Sequence, residues 1–245
     1  METLTCRLLP FATADGQHNM AADEALLDSA CGGKASLRFY GWSEPTVSLG
    51  YFQPHGLLAK DKRLARLPFV RRPTGGDAIL HHFELTYALA LPAGSQWCGP
   101  QPWLSRMHGI IAEALAGFDV AAQLCTEPSS GKFQGLLCFQ HLIAGDVVIG
   151  GSKIAGSAQR KRKGALLQHG SILLTVSAFA PLLPGIRELS GHSLTAPPIR
   201  VAVMAAFAGN TGWNLEAGDW TDEEKRRIRE LTLARYTQDS WNRKR

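Results

Sequence analysis

Residues 151–174 read GSKIAGSAQRKRKGALLQHGSILL, a pattern that predicts two β-strands joined by a basic turn. Alternate side chains of an extended strand share a face, so Lys153 and Ser157 are expected on one side and Gly156 on the other. A lysine among small residues either extends its ammonium group to water or is held in a cleft as a charge. The pattern leaves both possibilities open.

Further strands and helices are predicted on both sides of this pair of strands. The strands cover residues 36–42, 46–49, 69–72, 85–91, 147–149, 153–159 and 165–174. The helices run from the cap residue Asn19 to about Ala30, from Pro102 to Phe118, and from the capping-box pair Thr221 and Glu224 to about Tyr236, and residues 127–135 form a loop. Because strands and helices mix without strict alternation, the predicted fold class is α/β or α+β, with a mixed β-sheet flanked by helices. Residues 1–245 are expected to form a single domain, since this length and a hydrophobic content of 45% suit one core.

A second polar stretch, Arg71-Arg72-Pro73-Thr74-Gly75-Gly76, follows the β-forming pair Phe69-Val70. Two adjacent glycines let the backbone approach a bound group and turn its N–H donors inward, as anion sites and oxyanion holes require. Taken alone, such a turn is usually a hairpin, and arginines usually carry surface charge. The stretch is therefore a candidate site only in combination with other motifs.

The net charge of +5 comes from 26 basic and 21 acidic residues that are interspersed along the chain. The one dense basic run, Arg160 to Lys163, is typical of a solvated turn, so no nucleic-acid partner is predicted. The alternative is a docking patch for an acidic protein. No stretch approaches the roughly 20 apolar residues of a membrane span, and the N-terminus lacks the features of an export signal. A cytoplasmic protein without a membrane partner is expected.

The five cysteines are odd in number and include no CxxC pair, which fits neither a disulfide framework nor a zinc site. No metal is therefore predicted, and any chemical function of a cysteine has to come from its neighbours. Phosphate-loop, GxSxG, HExxH and GxGxxG motifs are also absent, which disfavours the common nucleotide-binding and hydrolase families.

Taken together, several motifs resemble the biotin/lipoate protein ligase superfamily, and within it the octanoyltransferases that use a cysteine nucleophile. The motifs lie at residues 19–27, 42–53, 71–76, 84–87, 138–139, 153–159, 167–174 and 236–243. KIAGSAQ and QHGSILL, in the two predicted strands quoted first, are the most discriminating. The resemblance implies a fold like that of class II aminoacyl-tRNA synthetases and biotin ligases, in which a tunnel with the Arg71-Arg72 loop and Lys153 at its mouth holds the acyl chain.

The resemblance also implies a reaction. Octanoyl would move from acyl carrier protein to Cys138 as a thioester, and then to a lysine of a lipoyl domain, such as that of glycine cleavage H protein or a 2-oxoacid dehydrogenase E2 subunit. Cys138 and Lys153 are the expected catalytic residues, because a nearby ammonium group favours the reactive thiolate. The residues expected to bind the acyl group or substrate are Arg71, Arg72, Gly75, Gly76, His81, Gly156, Ser157, His169 and Gly170. No cofactor is expected, because aminolysis of a thioester to an amide is downhill and requires no ATP.

Two histidines could act in this site or support it. His81 and His169 could each transfer a proton near neutral pH, or hydrogen-bond the surrounding loop and strand. A structural function is favoured for His169.

Two departures from the family pattern concern the glycine turn. Asp77 follows Gly75-Gly76, where the family commonly has a basic residue or a third glycine, and His82 replaces the acidic member of the usual His-Asp pair. Both changes are expected to affect the choice of acceptor or acyl group.

Three alternative functions share these motifs. An ATP-dependent lipoate ligase usually has an additional C-terminal domain, which is not predicted here, and commonly lacks a cysteine at the position of Cys138. An amidotransferase would take octanoyl from one lipoyl domain and give it to another. A non-catalytic relative would bind acyl chains or lipoyl domains, and Asp77 and His82 are its support. Retention of Cys138 together with Lys153 argues against the non-catalytic relative, whereas the sequence barely separates the amidotransferase from the octanoyltransferase.

Overall fold

The computed structural model describes residues 3–129 and 135–245, so five residues of the predicted loop 127–135 lie outside the described part. The strands are β1 (Thr5–Leu8), β2 (Ala12–Ala14), β3 (Ser36–Trp42), β4 (Thr46–Leu49), β5 (Phe69–Arg71), β6 (Ile79–His81), β7 (Glu84–Leu91), β8 (Gln123–Leu124), β9 (Val147–Ile149), β10 (Ser152–Arg162), β11 (Ala165–Leu173) and β12 (Asn214–Ala217). The α-helices are α1 (Gly16–Cys31), α2 (Trp103–Ala116), α3 (Ile186–Ser190), α4 (Ala196–Thr211), α5 (Asp222–Leu231) and α6 (Asp239–Asn242). A 3₁₀ turn covers Cys138–Gln140, and a π-helical turn, Thr232–Tyr236, continues α5.

Within the described residues, two β-sheets organise the molecule. The large sheet is nine-stranded, in the order β12-β1-β3-β7-β11-β10-β9-β8, with β2 beside β3. β1 is parallel with both of its neighbours. The remaining neighbours in this order, from the pair β3-β7 to the pair β9-β8, are antiparallel. The small sheet has the order β5-β4-β6. The predicted mixed sheet flanked by helices is confirmed.

Helices cover both faces of the large sheet. On β7, Leu85, Tyr87 and Leu89 belong to the core that includes residues of α2 and α4, whereas Ala88 and Ala90 belong to the core formed with α1 and α5. Every residue of β7 is buried for this reason. The absence of polar alternation in this stretch follows from the burial of both faces.

Helix α1 begins three residues before its predicted cap. Asp15 is the cap residue, and its Oδ1 accepts a hydrogen bond from the backbone N–H of His18 at 2.7 Å. Asn19 is instead buried, and its Nδ2 donates to the carbonyl of Gly41 at 3.0 Å, while its Oδ1 accepts from Arg38. Asn19 therefore connects α1 to β3 and does not cap the helix.

The basic run is divided between a strand and a turn. Arg160 to Arg162 end β10, and Lys163 and Gly164 form the turn to β11 with φ angles of 50° and 82°. The predicted pair of strands is confirmed, and only the end of the basic run lies in the solvated turn. Over residues 3–129 and 135–245, no helix is both long and apolar enough to cross a membrane.

Candidate active site

Cys138 lies at the start of the 3₁₀ turn, beside the small sheet. Its backbone N–H donates to the carbonyl of Ala78 at 2.8 Å, and Leu137 forms a parallel bridge with Ala78, the residue before β6. Cys138 is intermediate in burial, between the buried Cys6 and the exposed Cys98. Cys6, by contrast, is buried, and burial raises the pKa of its thiol to about 12. A thiol as protonated as that of Cys6 is inert, whereas Cys138 is accessible to a substrate.

Lys153 reaches the same place from the large sheet. Its Nζ lies 3.5 Å from Cys138 Sγ and 2.8 Å from Asp146 Oδ2, and only 2% of its side chain is exposed. The Phe139 ring centroid lies 5.4 Å from Nζ. The ammonium group is therefore held in a cleft, which decides between the two possibilities that the sequence left open. The predicted catalytic residues come together although one lies in a 3₁₀ turn beside the small sheet and the other in a strand of the large sheet.

The predicted alternation along β10 is wrong at Lys153. A β-bulge lies between Lys153 and Ala155, and its additional residue changes the side to which Lys153 points. A Cβ on Gly156 would lie 2.5 Å from Lys153 Cε, so Lys153 lies over Gly156. Ser157 faces elsewhere, and its Oγ is hydrogen-bonded to Tyr87 OH. Gly156 therefore contributes to the cleft by having no side chain, and Ser157 does not line it.

Asp146 is a candidate site residue that the sequence analysis does not identify. Its side chain is 1% exposed, and its Oδ2 accepts from the backbone N–H of Ile143 at 2.9 Å in addition to pairing with Lys153. It directly precedes β9, and the antiparallel pairing of β9 with β10 brings it beside Lys153. The available signal was an acidic residue at the start of an apolar strand. In the described part of the chain, no group of three or more His, Cys, Asp and Glu residues is arranged to hold a metal ion.

The buried side chain of Arg72 stabilises the glycine turn (Gly75-Gly76) through hydrogen bonds. Its Nη2 donates to the carbonyls of Gly75 and Asp77 at 2.7 Å each. Burial lowers the pKa of Arg72 to about 10, although the nearby Cys138 and Asp77 act in the opposite direction. Among the described residues, none accepts a hydrogen bond from its Nε. Arg72 thus combines a structural function with one donor that is not used within the protein.

His81 uses both ring nitrogens inside the fold. Nδ1 is hydrogen-bonded to Glu84 Oε1 at 2.6 Å and Nε2 to Ser48 Oγ at 2.7 Å. The ring also stacks on Trp42, with centroids 3.7 Å apart. Burial lowers the pKa of His81, against the influence of Glu84. His81 and Arg72 therefore share Ser48 as a partner, since Arg72 Nη1 donates to the carbonyl of Ser48. These contacts give His81 a structural function.

His169 connects the glycine-turn segment to α1. Its Nε2 is hydrogen-bonded to Thr74 Oγ1 at 2.6 Å and its Nδ1 to Asp23 Oδ2 at 2.7 Å. Asp23 in turn pairs with Arg38 of β3 at 3.3 Å. This network agrees with the structural function favoured for His169.

Arg71 does not contact the Cys138 and Lys153 pair. It is fully buried, and its guanidinium donates to the carbonyls of Gly50 and Gln53 at 2.8 and 2.6 Å and to those of Trp241 and Asn242 at 3.2 and 3.0 Å. Arg71 therefore joins the loop after β4 to α6. The geometry favours a structural function over substrate binding.

A small pocket of ≈ 20 Å³ adjoins Arg72. Its walls include Met20, Tyr40, Arg72, Ile79, His81 and Gly170. A Cβ on Gly170 would lie 2.6 Å from the carbonyl oxygen of Gly156, so glycine is needed where β10 and β11 pair. A cavity of this size holds about one water molecule, and an eight-carbon chain can enter only if its walls separate.

The two departures from the family pattern do not point at the thiol. Asp77 Oδ1 accepts from Gln53 Nε2 at 3.2 Å. His82 Nδ1 is hydrogen-bonded to Ser177 Oγ at 2.9 Å, and its ring stacks on Phe83. Both side chains therefore have partners outside the cleft of Lys153.

The sequence is similar to a known protein family and to individual members of it. The family described as the lipoyl protein ligase A/B catalytic domain matches residues 15–193. The chain is 36% identical to octanoyltransferase LipM of Symbiobacterium thermophilum, over 99% of each protein. It is 33% identical to octanoyltransferase LipM of Kyrpidia tusciae, over 97% of this chain and 98% of that protein.

The fold is also similar to solved structures. The chain superposes with a TM-score of 0.73 on a bipartite lipoate protein ligase from Thermoplasma acidophilum, with 20% identity, over 99% of this chain and 97% of the other. At this identity, the similarity concerns the fold alone.

Proposed function

Because this chain belongs to the lipoyl protein ligase A/B catalytic-domain family, we propose that it is an octanoyltransferase that carries the acyl group as a thioester on Cys138. The donor is octanoyl-acyl carrier protein, and the acceptor is a lysine of a lipoyl domain. Its octanoyltransferase relatives, aligned over nearly the whole chain, support the acyl group and the transfer reaction. The name of the family supports the kind of acceptor.

The distance of 3.5 Å between Lys153 Nζ and Cys138 Sγ is the observation that carries the mechanism. An ammonium group at this distance favours the thiolate, which is the nucleophilic form of cysteine. The thiolate attacks the carbonyl carbon of the octanoyl thioester and forms a new C–S bond. The bond to the carrier sulfur then breaks, and the carrier leaves as a thiol after it takes up a proton.

The second half of the reaction uses the same groups. The neutral ε-amine of the acceptor lysine attacks the Cys138 thioester, a C–N bond forms and Cys138 leaves as a thiolate beside Lys153. The amine proton passes to solvent or to a neighbouring base. One thioester is consumed for each amide formed, so ATP is not required.

Asp146 keeps the ammonium group in position. A buried cation without a counter-ion is costly, and the Asp146 carboxylate 2.8 Å away provides one. Lys153 can then stabilise both the thiolate and the oxyanion that develops on the thioester carbonyl.

The proposal is tested by acylation of the purified protein with octanoyl-acyl carrier protein in the absence of ATP. Intact-mass measurement is expected to show one octanoyl adduct that hydroxylamine removes from the wild type, and no adduct on Cys138→Ala. Cys125→Ala is the matched control and keeps the adduct.

Other outcomes assign other functions. An adduct from an octanoylated lipoyl domain, but not from acyl carrier protein, would indicate the amidotransferase. Transfer of free lipoate that requires ATP and persists in Cys138→Ala would indicate the ligase. No transfer under any of these conditions would indicate a binding protein.

A further inference from the structure

A cluster of cations surrounds an aromatic side chain next to the glycine turn. Lys244 Nζ lies 3.5 Å from the ring centroid of Tyr51, and the guanidinium carbons of Arg160 and Arg245 lie 5.2 and 5.9 Å from it. Phe52 extends the cluster, with 67% of its surface exposed. We call these five residues, Tyr51, Phe52, Arg160, Lys244 and Arg245, the cationic surface.

The charges of the cationic surface are not neutralised within the described residues. Neighbouring arginines do have carboxylate partners: Arg162 pairs with Asp28 at 2.8 Å and Arg243 with Asp239 at 3.0 Å. No carboxylate of the described part forms an ion pair with Arg160, Lys244 or Arg245. Lys244, more than the two arginines, lowers the pKa of Tyr51, which agrees with a positive field at this place.

The cationic surface is continuous with the candidate active site. The backbone N–H of Tyr51 donates to the carbonyl of Thr74 at 2.8 Å, and Arg160 Nη1 donates to that of Pro73 at 3.2 Å. A Cβ on Gly75 would lie 4.0 Å from the Phe52 ring. These contacts are all made to residues 73–75, and Arg72 donates hydrogen bonds to the carbonyls of Gly75 and Asp77 in the same segment.

We infer that the cationic surface docks the acyl donor, an acidic carrier protein whose thioester is attached through a phosphodiester-containing prosthetic arm. This inference rests on the proposed function and identifies the partner surface for its first step. The donor always brings an anion one arm's length from its thioester, because the phosphodiester joins the arm to the carrier protein. The acceptor, by contrast, presents a cationic lysine. Unpaired cations beside the site therefore complement the donor better, and they raise its rate of encounter.

The test compares two donors with the same acyl group. Octanoyl-acyl carrier protein carries the arm and an acidic protein surface, whereas octanoyl-pantetheine has neither phosphate nor protein. The double variant Lys244→Glu/Arg245→Glu is expected to lower kcat/KM for Cys138 acylation by the carrier at least about tenfold at low ionic strength, and its effect with octanoyl-pantetheine is expected to be much smaller. The wild-type rate with the carrier should fall as salt is added, because salt screens exposed charges.

A matched control changes the same charge elsewhere. Lys225 and Arg226 lie on α5 with 47% and 64% of their side chains exposed, and Lys225→Glu/Arg226→Glu should retain the wild-type preference for the carrier. Arg160→Gln, which can still donate to Pro73, removes a third charge of the surface and should also weaken acylation by the carrier.

The outcomes separate docking from chemistry. If the wild type accepts octanoyl from neither donor, the proposed function fails. If it accepts octanoyl from the carrier but the Lys244 and Arg245 variant keeps the wild-type kcat/KM, the docking inference is overturned. Equal losses with both donors, or a loss only in transfer to the lipoyl domain, would also overturn it, since the residues would then act on the site itself or on the acceptor.

Discussion

At the scale of single residues, the exposed fraction of 2% makes Lys153 unusual, because lysine is almost never buried without a partner. Asp146 supplies the partner, and the cleft therefore contains a cation, its counter-ion and a thiol. Removal of Asp146 would leave the ammonium group buried without compensation. This pair offers the most direct test of how the cleft works.

Asp146→Asn is expected to lower the rate of Cys138 acylation about 100-fold, because Lys153 would lose the counter-ion that holds its ammonium group beside the thiol. It should also lower the free energy of unfolding by about 3–5 kcal/mol, the usual effect of removing one partner of a buried pair. Acylation by octanoyl-pantetheine and urea denaturation measure the two effects. The rate of Cys138 alkylation at a fixed pH should also be lower than in the wild type.

The double variant Asp146→Asn/Lys153→Met is the control for that prediction. It should recover stability, because no unpaired charge remains, and should stay inactive. Wild-type alkylation and acylation in Asp146→Asn would show that Asp146 has no part in the chemistry.

Gly156→Ala tests the room that Lys153 needs. The added methyl group would lie 2.5 Å from Lys153 Cε, the flexible end of a side chain, so Lys153 should move away from Cys138 while the fold adapts. We expect at least about a tenfold loss of acylation with less than about 1.5 kcal/mol of destabilisation. Gly209→Ala, in α4 with open space around it, is the control and should keep full activity. A Gly156→Ala variant that is fully active would contradict the assigned position of Lys153.

The sequence predicted that Cys138 and Lys153 lie together, but it did not predict how the backbone and Asp146 position Lys153. The approach of Lys153 to Cys138 followed from motifs that resemble a family. The bulge at Lys153 and Ala155 could not be recognised, because nothing in a short run of small residues marks an extra residue. Asp146 was not identified because its neighbours in the sequence are ordinary. Only the pairing of β9 with β10 gives it a partner.

At the scale of elements, α5 is joined to the sheet through its first turn. Glu224 is the capping-box residue of α5, and its carboxylate also accepts hydrogen bonds from Arg7 of β1 and Ser29 of α1 at 2.6 Å each. One side chain thus caps the helix and connects it to two other elements.

The same carboxylate predicts a pH dependence of stability. Burial raises the pKa of Glu224, but the hydrogen bonds from Arg7, Ser29 and the backbone N–H of Thr221 outweigh burial and lower it from 4.5 to about 2. A folded-state pKa below the unfolded one means that the contribution is present above about pH 4.5 and is lost as the pH falls toward 2. Urea denaturation between pH 6 and pH 2.5 should show a smaller acid loss of stability in Glu224→Gln than in the wild type. Glu113→Gln, at an exposed position of α2, should leave the acid loss unchanged.

Elements that local sequence patterns define could be predicted, whereas elements that depend on distant partners could not. The bounds of β3, β4 and β9 agree with prediction, because β-forming runs there end at turn-forming residues. β12, by contrast, has four residues, and its pairing partner β1 lies at the other end of the chain, so local patterns carry little information about it. Asn19 was assigned as a cap because asparagine is a common cap. Its buried hydrogen bonds to Gly41 and Arg38 are long-range contacts that a local rule does not include.

At the scale of the whole molecule, Arg71 connects segments that are far apart in the sequence. Arg71→Lys would keep one positive charge but lose the planar set of donors that reaches five carbonyls. We expect the free energy of unfolding to fall by about 3 kcal/mol or more. Arg243→Lys, where 49% of the side chain is exposed, is the control and should change stability by less than about 0.5 kcal/mol. Equal stability of Arg71→Lys and the wild type in urea denaturation would contradict the structural function.

The proposed catalytic pair comes from two separate segments of the fold, and this separation has a consequence during synthesis of the protein. Cys138 is attached beside β6 of the small sheet, and Lys153 belongs to β10 of the large sheet. A ribosome makes the cysteine first, and until the later strand has emerged and the sheets have met, the growing chain carries only an ordinary thiol. Because the proposed mechanism needs Lys153 beside the thiol, we expect acylation of Cys138 only after both segments have folded.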